Sequence, residues 1–342
     1  LTLLLIVVGF VGLTQQAGIH TAQAHALEGQ QKWQQAINEY QLGGQGSPSS
    51  EDIARTYNEW GKALISTNQY ADGIAKYETV ISNYSQAPSG FTQAKQNAVE
   101  AYVAWAQSAE QDKKYDQATQ HYDKLLAASY CDSACQSKYG DADANDYYKL
   151  AEGKLTQQPP DYAGAVAAFN QLTTRFGTSS YSKQAHADYA KALWGDGQQL
   201  LGTTCSSALT LYQQLSSQFS DTPEGQQATT ALKQSVKVKG HFTSNIPSGN
   251  AVPFVSLVQD FSTNITSAQL TELLDKSPQT IVDSNGDFVF SSVKQGNYYL
   301  LWGVLNKTSG GGRVLLSHNY PALVGPLCAF DFGSINESFP NL

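Results

Sequence analysis

The residues able to do chemistry are few and scattered. Six histidines stand at positions 20, 25, 121, 186, 241 and 318. None falls in a His-Glu-x-x-His or comparable spacing that would bring two imidazoles to one metal. No Gly-x-Ser-x-Gly elbow, Walker loop or dinucleotide fingerprint occurs. Asp283, Asn285 and Asp287 alternate as calcium ligands do, but an EF-hand loop ends on a Glu at its twelfth position, and Lys294 stands there. Gly310-Gly-Gly-Arg lacks the Lys-Ser/Thr of a phosphate cradle and reads as a hairpin turn. Cys131 and Cys135, in the turn-like run Tyr130-Cys-Asp-Ser-Ala-Cys, are expected to form a local disulfide. Cys205 and Cys328 fall in different expected domains and are expected to be unpaired. These observations predict no enzyme, no catalytic residue, no metal and no cofactor.

Charge excludes a further class. The 342 residues carry a net charge of −8 with no basic run, which argues against a nucleic-acid partner. Charged residues are only 15% of the chain, against roughly 25% in an average protein. Gln, Ser, Thr, Asn and Tyr replace them, a surface common outside the cytoplasm.

What must position any binding surface is a repeat. The pattern aromatic, two residues, small, three residues, aromatic recurs as Trp33–Ala36–Tyr40, Tyr70–Gly73–Tyr77, Tyr115–Ala118–Tyr122 and Tyr162–Ala165–Phe169. A fifth copy, Cys205–Ala208–Tyr212, keeps the spacing with Cys in first place. Offsets of three and seven put all three side chains on one helical face, where the small residue admits a neighbouring helix. A helix precedes each copy, as with Tyr57, Trp60, Gly61 and Leu64, or Tyr102, Trp105 and Ala106. Such hairpins are too small to bury their stripes alone and must stack. Most aromatics are therefore expected in the repeat core. Tyr147 and Tyr181, which lie off the stripe, are the candidates for a concave surface.

After Lys233 the hydrophobic period changes from helical to alternating. Val236–Phe242 reads as a strand with Val236, Val238 and Phe242 inward. Further strands are expected at 252–258, 287–290, 298–305 and 313–318. A helix over 267–274, capped by Thr266 or Ser267, interrupts them.

Two resemblances follow from these residues. Trp60-Gly61-x-x-Leu64, then Tyr70-x-x-Gly-Ile-x-x-Tyr77, resembles the tetratricopeptide repeat (TPR). The longer junctions are similar to the long-hairpin variant of bacterial envelope proteins. Over residues 25–235 this resemblance implies a solenoid that binds a protein partner along its groove. The second covers roughly 236–305. There Asp283-x-x-Gly286-x-Phe288 and Gly296-x-Tyr298, after the Val252–Val258 strand, resemble the carboxypeptidase regulatory-like domain of the prealbumin-like fold.

The expected architecture is multi-domain, α then β: an α-solenoid of about five TPR-like hairpins, then a small antiparallel β-sandwich. Residues 1–24 are an N-terminal membrane segment, 25–235 the repeats and 236–342 the β domain with its tail. Leu1–Leu13 are almost wholly apolar and the chain holds no methionine, so the native start is expected upstream. Two readings stand: an uncleaved anchor running into the first repeat, and a signal peptide cleaved at Ala22-Gln23-Ala24. Either places the remainder outside the cytoplasm. The expected function is a non-enzymatic, membrane-tethered scaffold or assembly factor. The alternative is glycan or cell-wall binding through exposed Tyr or Trp302 of the β domain. Asn83, Asn264, Asn306 and Asn336 begin Asn-x-Ser/Thr sequons, which matter only in a glycosylating host.

Overall fold

The computed structural model describes residues 2–44, 47–247, 249–259, 266–306 and 313–339. The glycines at 310–312 and Asn264 lie outside these residues. The chain divides into two compact units: Leu1–Thr156 with Ala167–Gln184, and Gln157–Val166 with Ala185–Leu342. The fold class is a helical-repeat solenoid followed by a small β domain.

The first unit is built of helical hairpins. Its helices are α1 (Thr2–Gly29), α2 (Trp33–Leu42), α3 (Ser47–Ser66), α4 (Tyr70–Asn83), α5 (Pro88–Gln111), α6 (Tyr115–Ala127) and α7 (Ser133–Thr156). It also holds most of α8 (Tyr162–Arg175) and the short α9 (Ser180–Gln184). α1 packs on α2, α3 on α4 and α5 on α6, and α3 also packs on α5.

One turn makes all three hairpins. Gln31, Asn68 and Lys113 adopt left-handed φ values of 57°, 61° and 58°. The next amide then donates back to the helix it leaves: Lys32 N to Leu27 O at 2.9 Å, Gln69 N to Leu64 O at 3.0 Å and Lys114 N to Ala109 O at 2.8 Å. This is the Schellman closure, which satisfies carbonyls left open by a helix end. Each repeat motif begins two residues later, at the first residue of the second helix.

The second unit contains α10 (His186–Leu200), α11 (Cys205–Gln218) and α12 (Pro223–Ala231), then the strands. These are β1 (Val236–Phe242), β2 (Ala251–Val258), β3 (Gln279–Ile281), β4 (Asp287–Val293), β5 (Gly296–Asn306), β6 (Arg313–Val324) and β7 (Phe330–Ile335). α13 (Ser267–Lys276) lies between β2 and β3 and carries a full capping box, Thr266 with Gln269. One sheet has the order β4-β1-β7 and the other β3-β2-β5-β6. Val238, Phe242 and Phe288 from the first and Val255, Leu300 and Trp302 from the second share one apolar core. Val258 and Leu301 pack instead with Leu274 of α13. The four-stranded sheet is thus covered on both faces, which is why β2 reads as a continuous apolar run.

The β domain departs from the expected antiparallel arrangement in one pair: β7 runs parallel to β1. β3 carries little sequence signal, being three residues long, and Gly333 at φ 67° breaks the alternation within β7.

The expectation for Cys205 and Cys328 is overturned, because the two form a disulfide with Cα atoms 5.8 Å apart. It ties the first residue of α11 to the loop before β7. The helical end of this unit and its β domain therefore share one covalent frame, a link that sequence distance hid. Cys131 and Cys135 form the second disulfide, and among the described residues no cysteine is free.

Candidate functional site

The repeat motifs occupy equivalent places in their helices. Ala36, Ala118, Ala165 and Ala208 are wholly buried, and Tyr40, Tyr77, Tyr122, Phe169 and Tyr212 nearly so. The first aromatics, Trp33, Tyr70, Tyr115 and Tyr162, are half-buried, as is Trp60.

Room for the third aromatic comes from a small residue on the preceding helix. A Cβ on Gly61 would lie 2.4 Å from Cε1 of Tyr77, and one on Gly197 2.7 Å from Cε2 of Tyr212. Buried alanines, Ala24, Ala106 and Ala151, stand at the matching places in the other repeats.

The first aromatic reaches the next hairpin. Tyr70 stacks on Trp105 at 6.0 Å, and His121 stacks on the Trp105 ring at 3.8 Å. Lys76, one repeat earlier than His121, sits 3.8 Å over Trp60.

Between α3 and α5 lies a cleft of about 510 Å³, with Glu51, Asp52, Arg55, Glu59, Lys62 and Gln93 in its lining. Its walls are fixed by hydrogen bonds. Glu51 accepts from the Ser89 and Gly90 amides at 3.1 and 3.0 Å, capping α5. Gln93 donates to Asn97, Asn97 to Asn58, and Asn58 to the Gly90 carbonyl at 2.9 Å. Arg55 bridges Asp52 at 3.2 Å and Glu28 at 3.1 Å, while Lys62 pairs with Glu59 at 2.9 Å.

Partial burial works against the Arg55 charge, but the Glu28 and Asp52 carboxylates outweigh it and raise its pKa. Tyr40, buried beside Glu28, is pushed up to about 12. The result is an ordered wall of paired charges and amides, suited to hydrogen-bonding a polar chain rather than to proton transfer.

Two expected contact residues lie elsewhere. Tyr147 is buried and donates to Asp123 at 2.8 Å, and Tyr181 lies against Tyr148 at 6.3 Å. Trp302 is wholly buried in the β-domain core, so it has no face for a sugar. In the β4 turn, Asp283 Oδ1 accepts from the amides of Asn285 and Asp287 at 2.8 and 2.9 Å, and Gly286 takes φ 92°. That carboxylate is committed to closing the turn, and Gly286 supplies a conformation other residues resist. Phe288 and Tyr298 are buried in the sandwich core, and Gly296 opens β5. Among the described residues, no cluster of His, Cys, Asp and Glu could hold a metal ion.

The cleft lining was not visible as a site in the sequence. Its signal was the register of the motif: residues opposite the buried stripe of each first helix are the ones that line it.

The hairpins form a helical repeat. A solved structure of the C-terminal part of a TPR repeat-containing protein from Cytophaga hutchinsonii matches 62% of this chain and 87% of its own length. It is 13% identical, with a TM-score of 0.20. A match that loose adds nothing to what the hairpins themselves establish. No family model and no curated protein matches the chain.

Proposed function

We propose that this chain is a non-enzymatic, membrane-tethered extracytoplasmic scaffold or assembly factor. It holds a protein partner along the groove formed by the first helices of its hairpins. The observation that carries this reading is the cleft between α3 and α5, whose polar walls are set in place before any partner arrives. Preorganised walls reduce the ordering cost of binding, and stacked hairpins act through such extended surfaces.

Two features support the compartment. All four cysteines are in disulfides, as suits an oxidising environment. α1 is one helix from Thr2 to Gly29, and Ala24 is buried in the first hairpin. That continuity favours an anchor leading into the repeats over cleavage at Ala24. Among the described residues no helix is long and apolar enough to cross a membrane, and the proposed tether rests on the apolar start of α1. The β domain is read as a carboxypeptidase regulatory-like module, on its Asp283–Phe288 turn and its two-sheet core. It serves as a spacer fixed to the last helices.

Charge reversal in the cleft tests the groove. Full-length chain carrying Glu59→Lys with Gln93→Glu should lose a copurifying partner that the parent chain retains. Retention by this variant, with loss on substitution of exposed Val289 in β4, would place binding on the β domain instead.

A further inference from the structure

In the fourth repeat, α7 buries two carboxyl groups where the other repeats have none. Counting back five residues from the small position gives Thr56, Ala101, Asp146 and Ala192. Counting back eight gives Ile53, Ala98, Asp143 and Tyr189. All eight are buried, and Asp143 and Asp146 are wholly so. The repeat can evidently be built with Ala at either place, so these two charges are not required to form it.

Their surroundings are acidic. Asp146 faces Glu110 of α5, and Asp143 faces Asp123 of α6. Arg175 of α8 pairs with Asp123 and, at 3.2 Å, with Asp143. The hydroxyl of Tyr147 donates to Asp123, and that of Tyr122 lies beside Glu110. No cation reaches Asp146: neither of its oxygens has a hydrogen-bond donor among the described residues, nor does Asp143 Oδ1. Two facing carboxylates are acceptors only, so only a proton between them makes a bond. An unpaired buried charge is among the costliest features a fold can hold.

We propose that Asp146 and Glu110 share one proton, and that its loss as pH rises loosens α7 from the first unit, making the fourth repeat a pH-sensitive element. Burial first, and then the Glu110 charge, raise the Asp146 pKa well above the carboxylate range. Asp143 is raised the same way, by burial and Asp123, with Arg175 opposing.

The direction follows from proton linkage. The folded state keeps a proton that the unfolded chain gives up near pH 4, so stability falls as pH rises from there through the folded-state pKa. Across that window one retained proton changes the opening equilibrium about tenfold per pH unit.

Hydrogen exchange of the full chain at pH 6, 7 and 8, expressed as protection factors, reads this locally. Protection of α7 amides should fall as pH rises, while α4 amides stay level. Asp146→Asn, which keeps the shape and supplies a permanent donor, should remove about a tenfold-per-unit part of that fall. Glu110→Gln should do the same. Level protection in the parent α7, or an unchanged fall in both variants, overturns the proposal. Asp146→Ala, the residue of the neighbouring repeats, guards against misfolding of one substitution and should also flatten the fall.

Discussion

The ring of Tyr77 fills the space that a side chain on Gly61 would need, with Cε1 2.4 Å from where Cβ would stand. The two helices of the hairpin meet at this point, and Tyr77 is buried with no room to retreat. Gly61→Ala should therefore destabilise by about 1–3 kcal/mol through overpacking. Gly153→Ala, in α7 with nothing within 4 Å of its Cβ, should instead stabilise by about 0.5–1 kcal/mol. Urea titrations followed by helical circular dichroism decide both; equal effects of the two changes would refute the packing argument.

Phe169 is the wholly buried third aromatic of the fourth motif, 6.4 Å from the ring of Tyr148. Phe169→Ala should cost about 3–5 kcal/mol, the range for an aromatic removed from a packed core. Thermal unfolding measures it, and a loss below about 1 kcal/mol would mean the site collapses around the gap.

The Cys205–Cys328 disulfide closes a loop with a sequence separation of 123. Constraint of the unfolded chain by such a loop is worth about 4–5 kcal/mol, against about 2 kcal/mol for the short Cys131–Cys135 loop. Cys205→Ser with Cys328→Ser should lower the unfolding midpoint more than Cys131→Ser with Cys135→Ser. Limited proteolysis should then cut first around residues 325–330. Equal stability of the two pairs of variants contradicts the staple.

The hairpin face was legible in the sequence because one spacing recurs five times and a helix has only one face that fits it. Val236, Val238 and Phe242 were legible for the same reason with a period of two, and all three are buried. The disulfide to Cys328 was not legible, since contact order is invisible to local pattern. Trp302 was misread because an apolar strand with both faces covered gives no alternation to separate its sides. Asp143 and Asp146 were hidden by the rule that charged residues face water; only the repeat register, laid over the structure, exposes them.

Acid should act on the first hairpin with the sign opposite to that of the fourth repeat. Burial alone would raise the Glu28 pKa, but its bonds to Thr56 and Arg55 outweigh that and lower it. Its contribution is present above the unfolded value near 4 and is lost as pH falls through the folded one. Protection of α1 and α3 amides should therefore drop as pH falls below the unfolded value, and Arg55→Gln should weaken that dependence. An acid response identical in the variant contradicts the assignment.

The groove is tested most directly by photocrosslinking. A photoreactive residue in place of Glu59 or Gln93 lines the α3–α5 cleft, whereas one in place of Val289 is exposed on β4. In cells that produce the full chain, both cleft positions should capture one and the same protein and the β4 position should not. Capture from Val289 alone, with both cleft positions silent, would contradict partner binding through the repeats.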